Sequence, residues 1–289
     1  MTNRALLFGA SGQVGNALQQ TTPASWTVVA HDIETDIRRE KDVAAAIDQA
    51  RPALIINCAA FTNVDGAESS PDEARAVNAV APGLIAEAAA RAGVRLVHIS
   101  TDYVFDGRAH TPYLPDAPAS PLNVYGRTKC EGEERVRQAA GSSAIVRTAW
   151  VHSAFGSNFV RTAARHLLAG RAMRVVDDQI GTPTRAENLA TALWRLAERP
   201  EIAGTLHFTD AGVASWFDVA TVVLETLRAA GRLPDGASVA PIPSSEYPLP
   251  ARRPAYSVLD KHDSWRALGY VPPHWRDGVI RSTSELLNA

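Results

Sequence analysis

The chain has 289 residues, 46% of them hydrophobic, with 29 basic against 31 acidic side chains and a formal net charge of −2. That is enough apolar material for one large domain or a domain with a smaller companion, and the absence of any block of like charge argues against nucleic acid and an anionic membrane as partners. The two cysteines, Cys58 and Cys130, are too few and too far apart for a disulfide framework or a metal-ligand spacing; with no signal-peptide layout and no apolar run of ~18–20 residues, the expectation is a cytoplasmic protein.

The apolar run ALLFGA (5–10) predicts a first strand, and GQVGNALQQ after it a first helix. Gly9, Gly12 and Gly15 occupy the turn between them. One glycine lets the chain bend sharply, a second lets the backbone approach a pyrophosphate, and a third lets the helix pack close to the sheet with its amides aimed at the phosphates. The spacing is G-x-x-G-x-x-G rather than G-x-G-x-x-G, so the strand–turn–helix setting carries the dinucleotide reading; a plain structural turn is the alternative. WTVVAHD (26–32) predicts the second strand. Asp32 ends it about 20 residues after the glycine turn, where a carboxylate accepts hydrogen bonds from an adenosine ribose. Asp36 and Ile37 are alternatives, as the lining of the adenine pocket.

DVAAAIDQA (42–50) predicts a second helix and ALIINCAA (53–60) a third strand. A long helix is expected over 70–93, with Ser70 as cap, Pro71 at the first helical position, Glu73 three residues after the cap and Gly93 ending it. VRLVHIS (94–100) and SAIVRTAWV (143–151) predict the fourth and fifth strands. Apolar strands separated by helices specify an α/β fold, a doubly wound parallel Rossmann-type sheet covered on both faces, whose ligands bind outside the carboxyl ends of the strands. The second half is less regular. SNFVRTAARHLLAG, TRAENLATALWRLAER and SWFDVATVVLETLRAAG read as helices, GTLHFTD as a strand, and APIPSSEYPLPARRPAYSVLD as a proline-rich loop. The expected division is a dinucleotide-binding domain over 1–150 and a mainly substrate-binding domain over 151–289, with some segments returning to the first.

Thr101, just past the fourth strand, falls at the carboxyl edge, where a hydroxyl can meet a substrate oxygen; Asp102 and Tyr103 share that edge. Tyr125 and Lys129 are four residues apart and stack on one helix face. A free tyrosine, with a pKa of ~10, is a poor acid–base group at neutral pH. A cation ~4–6 Å away favours the phenolate and lowers that pKa by ~1–3 units, so the pair suits a tyrosine that gives its proton to a carbonyl oxygen as hydride arrives. Lys129 is also placed to bind a ribose hydroxyl. Alone, Y-x-x-x-K marks a surface pair as readily; behind a dinucleotide turn it marks a reductase.

The glycine turn, Thr101 and Tyr125-x-x-x-Lys129 resemble the extended short-chain dehydrogenase/reductase superfamily. INCAAFTNVDGAE (56–68), STDYVFDG (100–107), VYGRTKCEGE, VRTAWVHSAFGSNFV (146–160), VVDDQIGTPT (175–184) and RRPAYSVLD (252–260) narrow the resemblance to its dTDP-4-dehydrorhamnose reductase family. That resemblance runs from residue 4 to about 261 and implies reduction of the C4 ketone of a nucleotide sugar, dTDP-4-dehydro-L-rhamnose, by NADPH or NADH. It implies catalytic roles for Thr101, Tyr125 and Lys129. Gly9, Ser11, Gly12, Gln13 and Val14 fall on its dinucleotide turn, and Ala59, Ala60 and Thr62 on the loop after the third strand, close to the cofactor. Trp150, Asn158 and Phe159 match its sugar-contacting segment, and Arg253 the loop that closes over the nucleotide sugar. Phe61 departs from the pattern, where members often carry tyrosine. A homodimer is compatible with the resemblance, and no motif carries over an interface metal.

Other readings compete at single residues. Trp150 also suits a core position, Arg252 and Arg253 a solvated pair, and the neighbouring Asp177 and Asp178 face opposite sides of a strand rather than sharing a proton. The eight histidines have no ligand spacing, so no catalytic metal is expected. Two rival functions remain. A nucleotide-sugar dehydratase or epimerase of the same superfamily needs an added acid and base, typically Asp-Glu after the threonine; here Asp102 is followed by Tyr103. A non-catalytic NAD(P)-binding subunit would bind cofactor without turnover, and such proteins lose the Tyr or Lys that this chain keeps.

Overall fold

A computed structural model describes residues 2–139 and 142–288. The first half alternates strands and helices: β1 (Asn3–Phe8), α1 (Gln13–Gln20), β2 (Trp26–His31), α2 (Glu40–Ala50), β3 (Leu54–Asn57), α3 (Val64–Ser69), α4 (Pro71–Arg75), α5 (Ala81–Ala92), β4 (Arg95–Thr101), α6 (Val124–Ala139) and β5 (Ser143–Thr148). The second half contributes β6 (Val151–His152), α7 (Phe159–Leu168), β7 (Ala172–Val176), β8 (Ile180–Gly181), β9 (Thr184–Arg185), α8 (Ala186–Ala197), β10 (Gly204–His207), β11 (Ala214–Ser215), α9 (Trp216–Ala229), β12 (Ser238–Ile242), α10 (His262–Leu268) and α11 (Trp275–Asn288).

The central sheet is parallel throughout and runs β10-β5-β4-β3-β1-β2. Its strands are apolar on both faces because both are covered. Ala5, Leu7, Leu54, Ile56, Val97 and Val146 pack towards α1 and α8, whereas Leu6, Phe8, Ile55, Leu96 and Ile145 pack towards α2 and α5. The order reverses between β1 and β3, and the crevice at that point is where ligands of open α/β sheets bind. A second apolar cluster, with Leu167 of α7, Val219 and Val223 of α9 and Val279 of α11, sits away from the sheet.

Three elements differ from the sequence expectation. The helix expected over 70–93 runs without a break from Pro71 to Ala92, but it carries an inserted π-helical turn and lacks the expected cap. Ser70 makes no side-chain cap, its backbone N–H bonding Gly66 O at the end of α3, and a π-helical turn over Ala76–Val80 joins α4 to α5. Gly93 does end the helix, in the left-handed conformation. The fifth strand stops at Thr148, because Trp150 takes a φ of 48° and turns the chain out of the sheet; Val151–His152 then pairs with β9. The proline-rich segment begins as a strand, β12, in parallel register with β7. The strand of GTLHFTD, β10, joins the main sheet beside β5, more than fifty residues later in the chain.

Candidate active site

The glycine turn lies at the switch point. Gly9 has a φ of +80°, and a Cβ there would come 2.5 Å from Ala59 N on the loop after β3. Only glycine fits so close an approach. Gly12 caps α1 without a side-chain bond, so amides at that helix start stay available. A bare helix N-terminus beside a glycine cradle fits a pyrophosphate. Ser11 N and Gly12 N are engaged: the first donates to Asp32 Oδ2 at 2.7 Å, tying the end of β2 to the turn, and the second to Gly9 O at 3.3 Å. Val14 packs on the core, and Ala59 on its other face. Asp36 is held below the usual carboxylate range by its hydrogen bond to Arg38, with Arg39 close by. Ile37 is buried in the core beside Val43 and Ala46, so of the two alternatives for the adenine pocket one is ion-paired and the other enclosed.

The loop carrying Ala60 and Thr62 is held by a residue that sequence reading passed over. Asn78 is fully buried on the π-helical turn. Its amide accepts from Phe61 N at 2.8 Å and donates to Phe61 O at 3.0 Å, and it donates to Thr128 Oγ1 on α6 at 3.2 Å. Inserted single turns of this kind often sit at functional sites. The signal available in AVNAV was one polar residue inside an apolar helix.

β4 and α6 bring the three catalytic candidates together. Asn123 Oδ1 accepts from Gly126 N at 2.7 Å and starts α6. Gly126 lies so close to Tyr103 O that any side chain would collide with it. This contact seats Tyr125 against the end of β4, its ring edge-on to Tyr103 at 5.8 Å. Thr101 is buried, with its hydroxyl facing Tyr125. Thr101 Oγ1 donates to Asp102 Oδ1 at 3.0 Å and accepts from Tyr103 N at 3.2 Å.

The electrostatics correct one expectation. Burial pushes Tyr125 up to about 12; the Thr101 hydroxyl opposes this and Asp102 adds to it. Lys129 does not depress the phenol here. It is buried, donates from Nζ to Ile99 O at 2.6 Å, and is itself pushed down to about 8 by burial, with Glu133 and Cys58 opposing. Its nearest polar contact is a backbone carbonyl beneath the site, so its charge is spent locally. Burial raises Tyr103 further, which suits it poorly to acid work.

The remaining candidates lie around this centre. Trp150 stacks face to face on Trp216 at 3.6 Å, and Phe159 meets Trp216 edge-on at 5.0 Å. A bulky residue at positive φ is a backbone outlier of the kind that collects at binding sites. Trp216 was not anticipated, although the Ser215–Asp218 capping box before and within its helix is legible in SWFD. Asn158 does not face a sugar freely. Its Nδ2 donates to Gln13 Oε1 at 2.8 Å and to Ser153 O at 3.0 Å, and its Oδ1 caps α7. Gln13 also accepts from Ser153 Oγ and donates to Val151 O. Gln13 and Asn158 together therefore bolt the 151–158 segment to the dinucleotide turn. Arg253 is not a solvated residue either. It forms a two-pronged pair with Asp65, at 3.0 and 2.7 Å, and Asp65 also accepts from Ala251 N. Arg252 is exposed. Asp178 is exposed and bonds Ser244, apart from any second carboxylate in a shared role.

A cleft of about 450 Å³ opens elsewhere, lined by Pro115, Ala119, Arg137, Arg147 and Thr205. Both arginines pair with the buried Glu133, and none of the catalytic candidates lines it. Among the described residues no three His, Cys, Asp or Glu side chains cluster as a metal site, and no helix is long and apolar enough to cross a membrane.

Comparison with known proteins gives a consistent result. The model of the RmlD substrate binding domain matches residues 3–288. A probable dTDP-4,6-dihydroxy-2-methyloxan-3-one 4-ketoreductase of Streptomyces antibioticus is 41% identical, over 99% of this chain and 96% of its own length. The dTDP-4-dehydrorhamnose reductase of Burkholderia thailandensis is 39% identical over 99% of both chains. The crystal structure of the Bacillus anthracis dTDP-4-dehydrorhamnose reductase in complex with NADP superposes with a TM-score of 0.91, at 33% identity, over 99% of this chain and 100% of that one.

Proposed function

The chain belongs to the RmlD substrate binding domain family, and from that premise we propose that it reduces the C4 ketone of dTDP-4-dehydro-L-rhamnose to dTDP-L-rhamnose with NADPH or NADH. The observation that supports this reading most directly is the meeting of Thr101 and Tyr125 at the carboxyl end of β4, beside a glycine cradle that fits a dinucleotide. The nicotinamide, when bound, supplies the hydride. Tyr125 gives its phenolic proton to the ketone oxygen as charge develops there. Its high pKa keeps that proton in place until the substrate calls for it, and Thr101 presents a second hydroxyl to the same oxygen. Lys129 binds the ribose, its ammonium anchored by the Ile99 carbonyl. Arg253 meets the diphosphate, and Trp150 with Phe159 borders the sugar. The sheet carries the cofactor, and the α7–α9–α11 unit with the 247–254 segment covers the sugar.

A second reading keeps the chemistry and changes the sugar. The Streptomyces antibioticus relative is named for 4-ketoreduction of a different dTDP-linked compound, so this chain's substrate is then another dTDP-linked 4-ketone. The test is incubation with NADPH and with NADH, each with enzymatically made dTDP-4-dehydro-L-rhamnose, followed by identification of the product. Formation of dTDP-L-rhamnose supports the first reading. Cofactor oxidation only with another dTDP-linked ketone selects the second, and cofactor binding without turnover of either overturns both.

A further inference from the structure

We propose that Asp102 is a positioning residue for this reduction: it sets the direction of the Thr101 hydroxyl, so that Thr101 donates to the ketone oxygen only when Asp102 carries a proton. The inference rests on the reductase reading above and adds a residue that acts through Thr101.

A threonine hydroxyl has one proton to give and two lone pairs. Here the proton goes to Asp102 Oδ1 at 3.0 Å, and one lone pair takes Tyr103 N at 3.2 Å. What Thr101 then presents towards Tyr125 is a lone pair. A ketone oxygen offers only lone pairs as well, so an ionised Asp102 leaves the two oxygens mismatched. Protonation reverses the bond. The carboxylic acid donates to Thr101 Oγ1, and Thr101 turns its own proton to the ketone. Asp102 takes that proton from solvent. The proton transferred to the alkoxide is still the one on Tyr125, and Thr101 keeps its proton throughout.

The surroundings make this reversal accessible. Asp102 is 2% exposed and its Oδ2 has no hydrogen-bond partner. Burial pushes it up to about 6, against the pull of the Ser257 and Thr101 hydroxyls. The groups around it are Tyr103 on its own turn, Tyr125 from α6 and Ser257 from the C-terminal segment, with the Arg253–Asp65 pair beyond Tyr103. Both tyrosines are raised and stay neutral through the acid and neutral range. Asp65 is lowered and Arg253 raised, so that pair stays charged. Lys129, four residues after Tyr125 on α6, is bonded to Ile99 O and titrates higher, near 8. Of these groups only Asp102 changes charge between pH 5.5 and pH 7.

The experiment is kcat/KM for the dTDP-linked ketone, at saturating cofactor, measured between pH 5 and pH 7.5. One donated hydrogen bond is worth about three- to tenfold. In the wild type that full effect separates the acid from the neutral plateau, and the ratio of kcat/KM at pH 5.5 to that at pH 7 is expected to be about two- to fourfold. Asp102→Asn, whose amide can donate to Thr101 at every pH, brings the ratio to about one. Thr101→Val abolishes the same limb, adding Asp102→Asn to it changes the ratio no further, and Thr101→Ser restores it. A merely structural Asp102 would lower activity without flattening the profile. A wild-type profile without the acid-side advantage, an unchanged ratio in a folded Asp102→Asn, or a limb that survives Thr101→Val overturns the proposal. Should Asp102→Asn fail to fold, the Thr101→Val and Thr101→Ser pair decides it. Absence of any ketone turnover by the wild type overturns the reductase reading together with this one; turnover with an unchanged ratio overturns this one alone.

Discussion

In the proposed reduction Tyr125 is the proton donor, a phenol whose proton is held by burial rather than loosened by Lys129. A donor of that kind is used only as negative charge grows on the ketone oxygen. Tyr125→Phe should therefore leave cofactor binding within about twofold of wild type and cut kcat by ~10²–10⁴-fold. Single-turnover kinetics and a cofactor titration check both parts, and retention of half the wild-type kcat would remove Tyr125 from the proton-donor role. Asp32 makes a separate residue-scale case. Its carboxylate is fixed by Ser11 N beside the glycine turn, where the adenosine ribose is expected. A fixed anion there favours free ribose hydroxyls over a 2′-phosphate, and ~1.4 kcal/mol of discrimination is tenfold. The arginines that would offset it, Arg38 and Arg39, already share Asp36. NADH is expected to serve at least as well as NADPH, and Asp32→Ser should shift the kcat/KM ratio towards NADPH by about tenfold. A wild-type preference for NADPH of tenfold or more would move the selection to the two arginines.

At the scale of elements, two packings hold the site together. α6 lies directly on the Tyr103 carbonyl because residue 126 has no side chain. Gly126→Ala must displace the helix start, and overpacking of this sort costs ~1–3 kcal/mol. The expected outcome is a lowered melting temperature and a kcat loss larger than stability alone explains, since Tyr125 moves with the helix. Full activity in a stable Gly126→Ala would show that the contact relaxes without moving Tyr125. The second packing is the 251–253 segment, joined to α3 by Asp65 through Arg253 and Ala251 N. A charge-assisted contact to a diphosphate remote from the reacting carbon acts alike in ground and transition states. Arg253→Ala should thus raise KM for the nucleotide sugar by about tenfold or more with little change in kcat. Asp65→Asn keeps the guanidinium and should raise KM less. A fall in kcat at constant KM would mean that the segment orients the sugar ring instead.

The whole molecule carries its charge burial mainly outside the catalytic centre. Glu133 of α6 and Arg147 of β5 form a two-pronged pair with both side chains enclosed, fastening the catalytic helix to the sheet. Asp210, just past the end of β10, is fully buried and bonded to Arg185 N and Asn188. Burial raises it to about 7, opposed by those bonds and by Lys261. Because its folded value lies above the unfolded one, its contribution to stability is fully present below about pH 4 and is lost as pH rises through about 7. Asp210→Asn should therefore flatten the decline in stability between pH 5 and pH 8, by about 1 kcal/mol or more, without touching the pH profile of turnover. Denaturant melts at the two pH values measure it, and an unchanged decline would place the sensitivity elsewhere, with Asp102 the next carboxyl to test.

What the sequence determined by itself was local. Apolar strands alternating with amphipathic helices dictate a parallel sheet covered on both faces. The glycines of one turn dictate where a backbone can approach phosphate, and a four-residue spacing puts Tyr125 and Lys129 on one helix face; the family motifs added the substrate. Each of these is a property of a short window, because helix and strand periodicity and turn conformation depend on near neighbours. Only the tertiary structure decided the rest. It seated β10 beside β5, bent the chain at Trp150 and stacked that ring on Trp216. It spent the side chains of Gln13 and Asn158 on each other, closed Arg253 onto Asp65, and gave the Lys129 ammonium to the Ile99 carbonyl. Apart from the bend at Trp150, these are meetings of groups separated by about 30 to 190 residues. Which partner a buried polar group finds depends on what the whole fold brings within hydrogen-bond reach, and no local pattern records that.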